Sequence, residues 1–103
     1  MKPLLVSEPA SVELQEDVRW YEERRPEWGS RLLDAVTRAF ELIESHPEIG
    51  SLRRGRFSVR QVNVRGFPYV LAYQVRINDI YVVAVAHTSR RPGYWRHRIE
   101  DLG

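Results

Sequence analysis

The chain has 103 residues, no cysteine and a formal charge of +2. With 43% apolar and 29% charged residues it is too hydrophobic to stay disordered and long enough for one core, so a single domain over residues 1–103 is expected. The missing cysteines exclude a disulfide scaffold, a cysteine-ligated zinc site and a cysteine nucleophile, and they fit a reducing, cytoplasmic setting.

Leu4-Leu5-Val6 reads as a short first strand. Met1 to Val6 is too short for a signal peptide, and no apolar run approaches the ~20 residues of a membrane span. Ser7-Glu8-Pro9 opens a helix: a hydroxyl that caps, an acid in the first turn, and an early proline. Leu14, Val18 and Tyr21 give it one apolar stripe through about Arg25, and Trp20 falls outside that stripe, half exposed. Pro26-Glu27-Trp28-Gly29 interrupts, and Ser30 is placed to cap a second helix. Leu33, Val36, Phe40 and Ile43 mark its buried stripe, widened by Leu32 and Ala39, and Pro47 ends it. His46 then sits where the helix dipole favours it. Two helices joined this closely pack as an antiparallel hairpin.

Ser51 to Arg56 reads as a polar loop carrying Arg53, Arg54 and Arg56. Val62 and Val64 alternate with Gln61, Asn63 and Arg65 as in a half-buried strand that also holds Arg60. Gly66-Phe67-Pro68 is turn chemistry, Tyr69 to Val75 is a second strand, and Asn78-Asp79 suits a hairpin turn. Ile80 to Ala86 is almost continuously apolar, as a central strand covered on both faces must be. The order β-α-α-β-β-β predicts an α+β fold, with a helical hairpin packed on a mainly antiparallel sheet of three to four strands. Charge divides the same way. Residues 1–48 hold 6 basic and 11 acidic groups, net −5, and residues 49–103 hold 10 basic and 3 acidic groups, net +7. All ten of those basic residues are arginines, whose planar fork suits phosphate and carboxylate.

Four segments carry a family resemblance: Val18-Arg19-Trp20-Tyr21-Glu22-Glu23-Arg24, Ile43-Glu44-Ser45-His46-Pro47, Phe67-Pro68-Tyr69-Val70-Leu71-Ala72-Tyr73, and Val85 through Trp95 with its His87-Thr88-Ser89-Arg90-Arg91-Pro92 core. In this order, from about Ser7 to Trp95, they resemble the RelE/ParE superfamily, the toxins of type II toxin–antitoxin modules. The resemblance implies a growth inhibitor neutralised by a cognate antitoxin that presents an amphipathic helix or acidic tail. No cofactor and no membrane partner are expected. RelE-like members cleave messenger RNA in the ribosome, and ParE-like members inhibit DNA gyrase. RNA cleavage without a metal needs an acid, a base and cations for the phosphorane. The strand positions that carry lysines in RelE-like enzymes hold Gln61 and Asn63 here, and a hairpin arginine position holds Val70. The ending His87 to Trp95 looks more like the ParE-like branch.

The expected reading is therefore a toxin that binds its target, DNA gyrase first, with plasmid stabilisation as the family role. The alternatives are a ribosome-dependent endoribonuclease using Arg60, His87, Arg90 and Tyr94, and a degenerate toxin that binds only its antitoxin. The catalytic candidates are His87, Arg90 and Tyr94. His87 can serve as an acid or base near neutrality, although a histidine at a strand end more often orders the following loop. Arg60, Arg65, Arg90 and Arg91 are expected to form an anion-binding groove over the exposed sheet, for antitoxin or nucleic acid. Charged residues on an edge strand also discourage pairing between molecules. Resemblance to ParE-like toxins marks the hairpin tip, Arg24, Arg25 and Trp28, as target contacts. Trp95 and Tyr69 are expected in interlayer packing. His97 falls in a polar tail, and no spacing of His, Asp or Glu suggests a metal.

Overall fold

A computed structural model describes residues 1–55 and 57–100; Arg56, assigned above to the basic loop, and residues 101–103 lie outside the described residues. Ser7 ends strand β1 (Leu4–Val6) and caps helix α1 (Glu8–Arg24), its hydroxyl accepting from the Ala10 N–H at 3.2 Å. The same hydroxyl donates to the Val83 carbonyl at 3.2 Å, so one side chain both starts the helix and fastens it to the sheet. Ala10 is fully buried, and Leu14, Val18 and Tyr21 pack against the core as the stripe predicts. Trp20 is 50% exposed.

Helix α2 (Trp28–Ser45) starts two residues before Ser30, which therefore lies inside it and not at its cap. Glu27 holds the N-cap position in the left-handed region, with φ 74° and no capping bond of its own. Glu22 of α1 supplies the cap instead. Its carboxylate accepts from the Glu27 N–H at 3.0 Å and the Gly29 N–H at 3.1 Å. Gly29 is where the helices meet: a Cβ there would stand 2.5 Å from the Val18 carbonyl oxygen. That contact sets the rotation of α2. Its buried stripe runs Gly29, Leu32, Val36, Ala39 and Ile43, while Leu33 is 45% exposed and Phe40 only half-buried. The helix stops at Ser45, ahead of Pro47.

Strands β2 (Ser51–Arg53), β3 (Val59–Asn63), β4 (Tyr69–Val75) and β5 (Ile80–His87) complete a five-stranded sheet of order β1-β5-β4-β3-β2. The α+β class and the element order are as expected. The sheet has five strands, not three to four, and it is mixed, because β1 runs parallel to β5. The extra strand, β2, lies in the supposed polar loop. All its residues are exposed, so no apolar alternation marks it; backbone pairing with β3, Ser51 opposite Gln61, makes it a strand. Arg65 falls in the turn after β3, not on the strand.

Strand β5 is buried on both faces. Ile80, Val82 and Val85 pack with Leu71, Tyr73 and the helices, whereas Val83, Ala84 and Ala86 pack with Val59, Ala72, Trp95 and Ile99. A bulge divides the register: Ala72 faces Ala84 and Tyr73 faces Val82, so Val83 is the extra residue. Trp95 (2% exposed) and helix α3 (Arg96–Glu100), which includes His97 of the supposed polar tail, follow the last strand. Trp95 and Ile99 cover the second face over β4 and β5, so the sheet there is not the open groove expected. An apolar strand such as β5 requires that cover. Among the described residues no helix is long and apolar enough to cross a membrane.

Candidate functional site

Strand β1 ends opposite Val82, and beyond it the outer edge of β5 has no strand neighbour among the described residues. Side chains satisfy that edge. The Val83 carbonyl accepts from Ser7 and, at 3.0 Å, from the Arg98 guanidinium of α3. The Val85 N–H donates to Glu13 of α1 at 3.2 Å. Glu13 and Arg98 pair bidentately at 2.9 and 3.0 Å, with side chains 14% and 17% exposed. The Tyr94 hydroxyl donates to Oε2 of the same carboxylate, which Arg98 also engages. One carboxylate thus joins α1, α3 and the bare edge of β5. The bond to Glu13 raises the Arg98 pKa. Burial, helped by that same carboxylate, pushes the Tyr94 hydroxyl well above the usual tyrosine range, so it stays a neutral donor.

One turn along α1, Asp17 faces the Tyr69 hydroxyl. Burial raises the Asp17 pKa, with the Tyr69 hydroxyl opposing it and the charge of Glu13 adding to it. Burial likewise raises Tyr69, and the Asp17 charge adds to that. His87 packs edge-on against the Tyr69 ring at 5.1 Å, and its Nδ1 accepts from the Ser89 N–H at 3.0 Å. A neutral ring then carries its proton on Nε2, and the histidine orders the loop that follows the strand. The Arg90 guanidinium lies 4.0 Å over the Tyr94 ring.

These residues form a wall shared by two hollows. The first, about 260 Å³, opens toward α1 and is bounded by Glu16, Asp17, Trp20, Tyr21 and Tyr69. The second, about 190 Å³, opens toward β3 and β4 and is bounded by Gln61, Val70, Thr88, Arg91 and Trp95. His87, Arg90 and Tyr94 line both. The structure therefore brings together His87, Arg90, Arg91 and Tyr94 from the sequence candidates.

The remaining candidates lie elsewhere. Arg60 donates to the Glu48 and Gly50 carbonyls at 3.1 and 2.9 Å and closes the connection from α2 to β2. Arg65 lines a separate hollow between α2 and β3, together with Arg38. Arg24 and Arg25 are exposed at the hairpin tip, stacked 3.8 Å over Trp20 and 4.9 Å over Trp28. Trp28 itself is half-buried, edge-on to Phe67 at 6.0 Å. The sequence reading missed Glu13, Asp17 and Arg98. Glu13 and Asp17 each precede a residue of the Leu14–Val18 stripe, which places them at the rim of the buried face; nothing local marks Arg98 as their neighbour. Among the described residues no three His, Asp or Glu side chains are grouped to hold a metal.

A helical hairpin on a small mixed sheet, with a cleft at the end of the last strand, is the layout that the resemblance to the RelE/ParE class implies. A family model described as the ParE toxin of the type II toxin–antitoxin system, parDE, matches residues 4–92, and the chain belongs to that family. Among solved structures nine chains match. One, from a chromosomal ParDE TA system of P. aeruginosa, shares 18% identity at a TM-score of 0.62, covering 84% of this chain and 96% of that one, and it bears on the fold. No curated protein matches.

Proposed function

We propose that this toxin arrests growth by binding its target, DNA gyrase first, and that a cognate antitoxin neutralises it. Family membership over residues 4–92 supports the toxin role. The observation that favours binding over RNA cleavage is the composition of the second hollow. Gln61 and Val70 wall it where cations would stabilise a phosphorane, leaving Arg90 and Arg91 as the arginines that line it among the described residues. The Tyr94 hydroxyl, the natural acid of such a site, is already bonded to Glu13 and has its pKa raised. For target contact the hairpin tip offers the exposed Arg24 and Arg25 beside the half-buried Trp28. An acidic antitoxin segment would meet Arg90 and Arg91 at the cleft, and Arg65 with Arg38 along α2.

Expression of the toxin without its antitoxin should stop growth, and co-expression of the antitoxin should restore it. Primer extension on cellular transcripts should show no new ends in translated regions. Codon-linked cleavage would replace this reading with the ribonuclease one.

A further inference from the structure

Among the described residues the sheet ends in two outer strands, β1 and β2, and they are guarded differently. Strand β2 is exposed throughout and runs into Arg53 and Arg54, charges that discourage pairing with another chain. Strand β1 has no such guard. Its residues are Leu4, Leu5 and Val6, with Leu5 45% and Val6 36% exposed. The Pro3 carbonyl accepts from the Ile80 N–H at 2.9 Å and the Ser7 N–H donates to the Val82 carbonyl at 3.0 Å, so these groups face β5. Strand alternation then turns the N–H and C=O of Leu4 and Val6 outward, away from β5. Pro3 lies in the inward phase, so its missing N–H does not interrupt the outer edge. Two opposite charges flank the strand. Lys2 donates to a neutral partner, the Arg76 carbonyl, at 2.6 Å, and Glu8 is exposed in the first turn of α1. Neither forms an ion pair among the described residues.

We infer that β1 pairs antiparallel with β1 of a second copy of this chain, about a two-fold axis through Leu5, joining the two sheets edge to edge. The run from Lys2 to Glu8 is complementary to itself in this register. Leu5 meets Leu5 of the second copy as the close, non-hydrogen-bonded pair, since its own N–H and C=O are turned to β5. Leu4 and Val6 exchange backbone bonds with Val6 and Leu4 of the second copy. Lys2 comes beside Glu8 of the second copy, so each end of the ladder gains a contact between opposite charges. An acidic segment on this edge would leave Glu8 against like charge, and a basic one would leave Lys2 so; a second copy satisfies both. The pairing is far smaller than a standard interface of ~800 Å² per partner, so the dimer is weak and depends on concentration. It forms independently of the target the toxin engages.

The test is sedimentation velocity of the purified full chain, from micromolar to millimolar concentration, where a monomer–dimer equilibrium is expected. Hydrogen exchange at the Leu4 and Val6 amides should slow as the dimer fills, while the amides of β2 keep one rate. Leu5→Lys sets two like charges on the axis and should raise the dissociation constant about five- to tenfold. Leu5 is exposed enough for the dilute monomer to keep its thermal midpoint. Lys2→Glu and Glu8→Lys should each weaken the dimer, and the two together should restore it. A chain that stays monomeric at millimolar concentration, a dimer that Leu5→Lys leaves intact, or a double variant as weak as the single ones would overturn the pairing. So would protection of Leu4 and Val6 that arises only when antitoxin is added, since the edge would then belong to a strand of that partner.

Discussion

Tyr73 has no exposed surface, yet its hydroxyl is fully used: it donates to the Pro47 carbonyl at 2.7 Å and accepts from the Gly50 N–H at 3.0 Å. Tyr73→Phe leaves both backbone groups without a partner and should lower stability by about 1–3 kcal/mol, measured by urea unfolding. Asp17 makes a different kind of prediction. Its folded pKa is raised above the ordinary 3.8, so the folded state holds a proton where the unfolded state has lost one. Its contribution therefore favours folding at the acid end, and that advantage fades as pH rises from the ordinary value through the raised one. Urea midpoints of D17N should lack this downward trend, and a wild type and variant that run parallel across that window would refute it. Ser7 and Pro47 were legible in the sequence because each acts on its own backbone neighbourhood. Glu13 and Arg98 were not, because 85 positions separate them and only the bare edge of β5 brings them together.

The helical hairpin depends on its crossing point. Gly29→Ala would drive a methyl to 2.5 Å from the Val18 carbonyl oxygen and 2.9 Å from the Glu22 Cβ. The forced separation should cost about 1–3 kcal/mol despite the better helix propensity of alanine, visible as a lower thermal midpoint. Glu22→Ala removes the acceptor for two N–H groups at the start of α2 and should cost about 1 kcal/mol. The two changes share one junction, so their effects should not add. The same junction explains the misread register of α2. Serine and apolar spacing favoured Ser30 and Leu33, but a glycine contact and a carboxylate from the other helix decided the rotation. Strand β5 was legible because its apolar run is long, whereas β2 was hidden because pairing alone defines it.

Over the whole molecule, the split of −5 and +7 becomes a cleft whose two hollows differ in charge. The acidic helix lines one side and the arginines after β5 line the other, with His87, Arg90 and Tyr94 between them. The expected anion-binding groove is accordingly broken up, with Arg60 fastening a loop and Arg65 facing α2. The family was legible from ordered motifs along the chain, and the matched residues 4–92 bear that out. The proposed mode of action is binding to gyrase. Its most direct test is a supercoiling assay with purified toxin and gyrase from the same organism. Inhibition is expected at low stoichiometry, weakened by joint alanine substitution of Arg24 and Arg25; undiminished supercoiling at large toxin excess would rule gyrase out.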